Sequence, residues 1–120
     1  MRRMKVVDKS YADGLQVLIT GTGATLFCFN RAPIQHTEVL AELAASNHRA
    51  GTEAELEKLC SKEPNLKARF DIIALGKPFE DSDGVKFVAA RLGGEAALLP
   101  LRGRVGRGWN KEDRFLAFHK

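Results

Sequence analysis

Hydrophobic spacing changes twice along these 120 residues, and that alternation confines the fold to strands on either side of helices. Up to Asn30 the apolar residues form short β-rich runs. From Thr37 to Lys62 they recur every three or four positions, and after Asp71 they gather into runs again. The first two runs, Leu15-Gln-Val-Leu-Ile19 and Ala24-Thr-Leu-Phe-Cys-Phe29, surround Thr20-Gly-Thr-Gly23, whose glycines accept the positive φ of a tight turn. The spacing predicts a hairpin over residues 14–30, and Pro33 closes its second strand.

The helical stretch divides in two. Thr37 is an N-cap candidate ahead of Val39, Leu40, Leu43 and Ala44, and residues 47–51 stop that helix. Thr52-Glu-Ala-Glu55 is a capping box, in which the Thr52 hydroxyl meets the Glu55 N–H while Glu55 reaches back. Glu53 and Glu55 also suit the positive end of the helix dipole. Leu56, Leu59 and Cys60 form the buried stripe, and Pro64 ends the helix or opens a short turn through Phe70. Four strand-like runs follow, at 72–79, 85–92, 95–101 and 114–119. Gly93-Gly94 marks a two-residue hairpin, Asp81-Ser-Asp-Gly84 a turn whose Asx side chains bond their own backbone, and Pro100 an edge strand. The expected fold is α+β, one domain over 1–120. It opens with the N-terminal hairpin, continues with two helices, and ends in a four-stranded antiparallel meander with both helices on one face.

Composition removes several classes. An apolar content of 44% beside 28% charge supports one hydrophobic core without staples. Cys28 and Cys60 therefore read as small buried hydrophobes. No run approaches the ~20 apolar residues of a membrane helix. Residues 1–8 have the basic start of a signal peptide, but Asp8 and Lys9 stand where its apolar core belongs, so the expected location is cytoplasmic.

Recognisable catalytic and cofactor patterns fail on inspection. Val17-Leu-Ile-Thr-Gly-Thr-Gly23 resembles the opening of a dinucleotide loop, yet Leu26 holds the third glycine position and no helix follows. His36, His48 and His119 share no metal-ligand spacing, and no Gly-x-Ser-x-Gly surrounds any serine. The two histidines His36 and His48 are expected in solvent at the ends of the first helix, with His119 pointing out of the last strand. A helix-turn-helix over 37–62 would press Glu53, Glu55 and Glu57 toward phosphates. No cofactor, metal or enzymatic activity is expected.

Charge is segregated along the chain. Residues 1–35 carry +3, residues 36–85 carry −4, and residues 86–120 carry +5. The basic end centres on Leu101-Arg-Gly-Arg-Val-Gly-Arg-Gly-Trp109. Arg102, Arg104, Arg107, Lys111 and Arg114 are candidate phosphate contacts there, with Trp109 a candidate stacking platform. The same residues suit an acidic protein surface, and Trp109 also suits the end of a core.

The ending, Trp109-Asn-Lys-Glu-Asp-Arg-Phe-Leu-Ala-Phe-His-Lys120, resembles the C-terminal strands of small proteins carried by phages and mobile elements. That resemblance implies an accessory protein over a metabolic enzyme. The expectation is a non-catalytic binding module whose basic loop meets a polyanion, nucleic acid first. The alternative is a protein-interaction or homo-oligomeric assembly subunit, in which acidic Glu38, Glu42, Glu53 and Glu57 face the basic end of a neighbour. A small-molecule-binding domain or enzyme comes third.

Overall fold

A computed structural model describes residues 23–29, 33–63, 71–103, 108–110 and 112–120, and the backbone of 14–19. Among these, the order is β1 (Gly14–Ile19), β2 (Ala24–Phe29), α1 (His36–Ala45), β3 (His48–Ala50), α2 (Glu53–Lys62), β4 (Ile72–Glu80), β5 (Lys86–Leu92), β6 (Glu95–Pro100) and β7 (Arg114–His119). The hairpin is as expected, with Gly14 opposite Phe29 and Ile19 opposite Ala24. Both later hairpins also form, β4 with β5 and β5 with β6. Asp81 Oδ1 accepts the N–H groups of Asp83 and Val85, each at 2.9 Å, as an Asx-stabilised connection requires. The short turn posited after Pro64 falls outside the described residues.

The meander is corrected at its last strand. The sheet runs β1-β2-β7-β4-β5-β6, so β7 lies in the middle rather than beside β6. It pairs antiparallel with β2, where Phe27 meets Phe115, and parallel with β4, where Ile73 meets the same Phe115. The sheet is therefore mixed. Burial explains the choice: Phe115, Leu116 and Ala117 are all at most 1% exposed, and only a central strand covered on both faces hides consecutive side chains.

The helices are corrected too, because they lie on opposite faces. Successive strand residues point to opposite sides. Val39 and Leu43 of α1 pack with Phe27, Phe29, Ile73 and Phe115, whereas Leu56, Leu59 and Cys60 of α2 pack with Leu26, Ile72, Ala74 and Leu116. A two-sided cover stabilises an all-buried β2 in a way one layer of helices does not. Burying Leu56 and Leu59 contributes about 1.5–3 kcal/mol each. Cys28 and Cys60 are buried free thiols.

Two local details decide how the helices enter and leave. Gln35, not Thr37, is the N-cap of α1, and its N–H donates to Glu38 Oε1 at 3.2 Å. The capping box of α2 forms as read, with the Glu55 N–H donating to Thr52 Oγ1 and the Thr52 N–H to Glu55 Oε1. Asn47 ends the first helical excursion at φ 61°, a conformation asparagine tolerates.

The unforeseen strand is β3. Strands β4 and β7 touch only at Ile72–Ile73 and then part, and His48–Ala50 enters the gap, paired to residues 117–119. Gly51 completes the wedge: its N–H donates to Leu116 O at 2.7 Å, and its carbonyl accepts from Gly76 N at 2.8 Å. A Cβ at Gly76 would lie 2.7 Å from that carbonyl, so only glycine permits the approach. Beyond it β4 bulges between Ala74 and Phe79, with Lys77 at φ 54°, and the strand leaves the core.

Candidate functional site

The connection from β6 to β7 is held at both ends. Leu101 donates its N–H to Lys86 O at 2.9 Å, and Gly103 donates to Pro100 O at 2.9 Å. Gly103 and Gly108 have φ of 107° and 122°. A Cβ on Gly103 would sit 2.0 Å from Gly108 O, so the backbone at the two ends of segment 104–107 is in direct contact. Gly108 in turn rests on Pro33 and Ile34, where a Cβ would come within 2.9 Å of each.

Trp109 anchors this closure. Its backbone exchanges two hydrogen bonds with Ile34, at 2.7 and 3.0 Å. The indole is fully buried in the α1-side core and meets Phe115 edge-on, centroids 5.8 Å apart at 90°. Further along, Asp113 is buried, and its carboxylate accepts the Asn110 N–H at 2.9 Å. Arg114 N then donates to Asp71 O, feeding the chain into β7.

The six sequence-predicted residues separate accordingly. Arg102 is exposed beside the pinch of Gly103 and Gly108. Trp109 is at 0% exposure, so the stacking role is corrected: the ring is a core plug and offers no face to a base. Arg114 is half-buried, with its backbone paired to Ile72. Arg104, Arg107 and Lys111 lie outside the described residues. What the structure brings together is thus the frame of the loop, namely Arg102, Gly103, Gly108 and Trp109.

The histidines also differ from expectation. His48 is 4% exposed, not solvated, because β3 carries it inward beneath Phe27, while His119 is exposed as read. Burial holds the His48 pKa below its ordinary value; the bond to the Ser46 carbonyl opposes this, and the neighbouring His119 adds to it. Nothing in the spacing of positions 48 and 119 reveals their meeting, since the pairing spans most of the chain. Among the described residues no three His, Cys, Asp or Glu side chains gather as a metal site. No helix among them is long and apolar enough to cross a membrane.

No protein-family model matches the chain, and neither the curated proteins nor the solved structures compared with it give a match.

Proposed function

We propose that this chain is a non-catalytic binding module whose Arg102 to Arg114 loop contacts a polyanionic partner, with nucleic acid the partner favoured by its chemistry. The observation that supports this reading is the clamp at Gly103 and Gly108, braced by buried Trp109. A short segment bearing Arg104 and Arg107 is closed at its base, which lowers the ordering cost of each arginine–phosphate contact. Exposed Arg102 stands at the same base. With the indole committed to the core, affinity rests on phosphate contacts instead of base stacking, so binding is indifferent to sequence and steep in salt.

Fluorescence anisotropy of labelled DNA and RNA tests this. Four cations (Arg102, Arg104, Arg107, Lys111) on duplex phosphates give a log–log salt slope of about −3.6, or roughly a hundredfold loss between about 50 and 200 mM salt. The double variant Arg104→Glu/Arg107→Glu loses binding while keeping the wild-type melting temperature. Flat titrations at low salt, or full affinity in the double variant, defeat the proposal.

A second reading, assembly with another protein or another copy, draws on β6. It pairs only with β5 among the described strands, and Leu98 on it is 57% exposed. Such an edge is a template for strand addition. Light scattering decides: a mass above one chain that Leu98→Lys lowers favours assembly, and one chain at every concentration removes self-assembly.

A further inference from the structure

On the α2 face, across the sheet from Trp109, a hollow of about 160 Å³ is lined by Ala24, Glu55, Lys58, Leu59, Lys62 and Phe118. Its cause is local. Ala24 stands directly opposite Phe118 in the β2–β7 ladder, so a methyl lies beside an aromatic ring there, and Leu59 lines the space between them and α2. The Arg49 guanidinium lies over the Phe118 ring, 5.1 Å from its centroid, and fixes that wall.

Charge around the mouth is one-sided once the existing pairs are removed. Glu55 is committed: Arg49 grips both its oxygens at 2.8 and 2.7 Å, and the Thr52 N–H donates to it at 3.0 Å. Those bonds, Arg49 first, hold its carboxyl below the ordinary range, so it stays ionised and matched. Lys58 and Lys62, one helical turn apart, make no ion pair with a described residue. The lining of the hollow therefore combines apolar Ala24, Leu59 and Phe118 with two exposed lysines that make no ion pair with a described residue.

We infer that this hollow is a binding site for a small aryl anion, a single aromatic ring bearing one carboxylate or phosphate. Volume sets the ring count, since a cavity of about 150 Å³ accommodates one benzene. The apolar lining takes the ring, with Phe118 available for edge or offset contact. The paired lysines take the anionic group, and being flexible point charges they accept carboxylate and phosphate alike. Cations meet the wrong charge at Lys58 and Lys62. The site is separate from Trp109, the anchor of the 103–108 clamp, which belongs to the core cluster on the other face of the sheet.

The test uses benzoate and phenyl phosphate, with benzyl alcohol as the ring without charge and acetate as the charge without ring. Methyl and aromatic carbon-correlated NMR of the whole chain follows Leu59 and Phe118. Benzoate and phenyl phosphate shift both residues saturably, with dissociation constants of about a millimolar, as suits so few atoms. Benzyl alcohol and acetate bind roughly tenfold more weakly or not at all, the scale of two exposed charge contacts. Lys58→Gln/Lys62→Gln weakens benzoate by a similar factor with unchanged melting, and Ala24→Leu fills the hollow and abolishes the shifts. If Ala24→Leu fails to fold, the ligand comparison and the lysine variant still decide. Absence of shifts with benzoate, equal binding of benzyl alcohol, or undiminished affinity without the two lysines overturns the assignment.

Discussion

His48 and His119 stack across the β3–β7 ladder with their ring centroids 4.1 Å apart and their planes 34° from parallel. His48 Nδ1 donates to Ser46 O at 2.7 Å, which leaves Nε2 as the lone-pair nitrogen. That atom is buried without a hydrogen-bond partner, and Phe27 closes the third side, 4.9 Å away at 71°. The groups facing His48 among the described residues are therefore a carbonyl of the α1 C-terminus, an aromatic ring of β2 and an imidazole of β7.

Acid destabilisation follows from this pair. Because burial lowers the folded-state pKa of His48, the unfolded chain binds more protons once pH falls below about 6.5, the ordinary value. Stability is thus fully present above that value and is lost as pH falls toward the folded-state pKa. One such group gives a slope of up to about 1.4 kcal/mol per pH unit. Urea midpoints measured between pH 5 and 8 fall in this window, and His48→Gln lowers the plateau while reducing the slope. An unchanged slope in His48→Gln places the titration elsewhere.

Trp109 is the single tryptophan and a pure core residue in this structure, which separates its two removable features. Truncation to alanine empties the space between α1 and Phe115 and costs about 3–5 kcal/mol. Phenylalanine keeps the edge contact and deletes an indole N–H that has no described acceptor, a group whose burial costs about 1–3 kcal/mol. Trp109→Phe is therefore far milder than Trp109→Ala, at about 1–2 kcal/mol. Denaturant unfolding checks the ordering. With the indole fully buried, the expected native emission of Trp109 is blue-shifted and resistant to quenching by iodide.

The local parts of this fold were legible because their causes are local. Thr20-Gly-Thr-Gly23 joins adjacent strands, Thr52 and Glu55 satisfy one another within a turn, and Asp81 bonds residues two and four ahead. The central position of β7 was not, since it depends on Phe115 meeting Phe27 and Ile73 from distant parts of the chain. A usable signal did exist: Ala24 to Phe29 and Phe115 to Phe118 lack the polar alternation of a half-exposed strand, which asks for cover on both faces. Strand β3 left no such trace, because three residues, His-Arg-Ala, carry no periodicity. Within the loop, the arginines were conspicuous but the burial of Trp109 rests on Ile34, which stands 75 positions earlier in the sequence.

The loop closure rests on glycine chemistry that alanine cannot reproduce. At Gly103 a methyl would collide with the Gly108 carbonyl at 2.0 Å, and φ 107° is strained for any L side chain. Gly103→Ala opens the clamp and costs about 2–4 kcal/mol, drawn from strain and overpacking together. The same change weakens polyanion binding in proportion to the lost preorganisation. Unfolding midpoints and anisotropy, measured on one preparation, report both effects. Wild-type values in each would mean that the clamp is dispensable.

The wedge of β3 between β4 and β7 yields the sharpest comparison, since two glycines meet there for different reasons. At Gly51 a Cβ would fall 2.5 Å from Leu116 Cγ, a side-chain atom in a close-packed core. At Gly76 it would fall 2.7 Å from Gly51 O and 2.8 Å from Ala50 O, backbone atoms fixed by the ladder. Neither position has a left-handed φ, so contact alone sets the cost. A leucine can shift rotamer at about 1–3 kcal/mol, the usual price of overpacking. Backbone carbonyls can move only by breaking the Gly76 N–H bond to Gly51 O, which adds the loss of a buried hydrogen bond of about 1–3 kcal/mol. Gly76→Ala is therefore the more destabilising of the two, and amide exchange across His48–Ala50 quickens in it first. Equal losses in the two variants, with β3 protected in both, would show that β4 is free to drift from the wedge without cost.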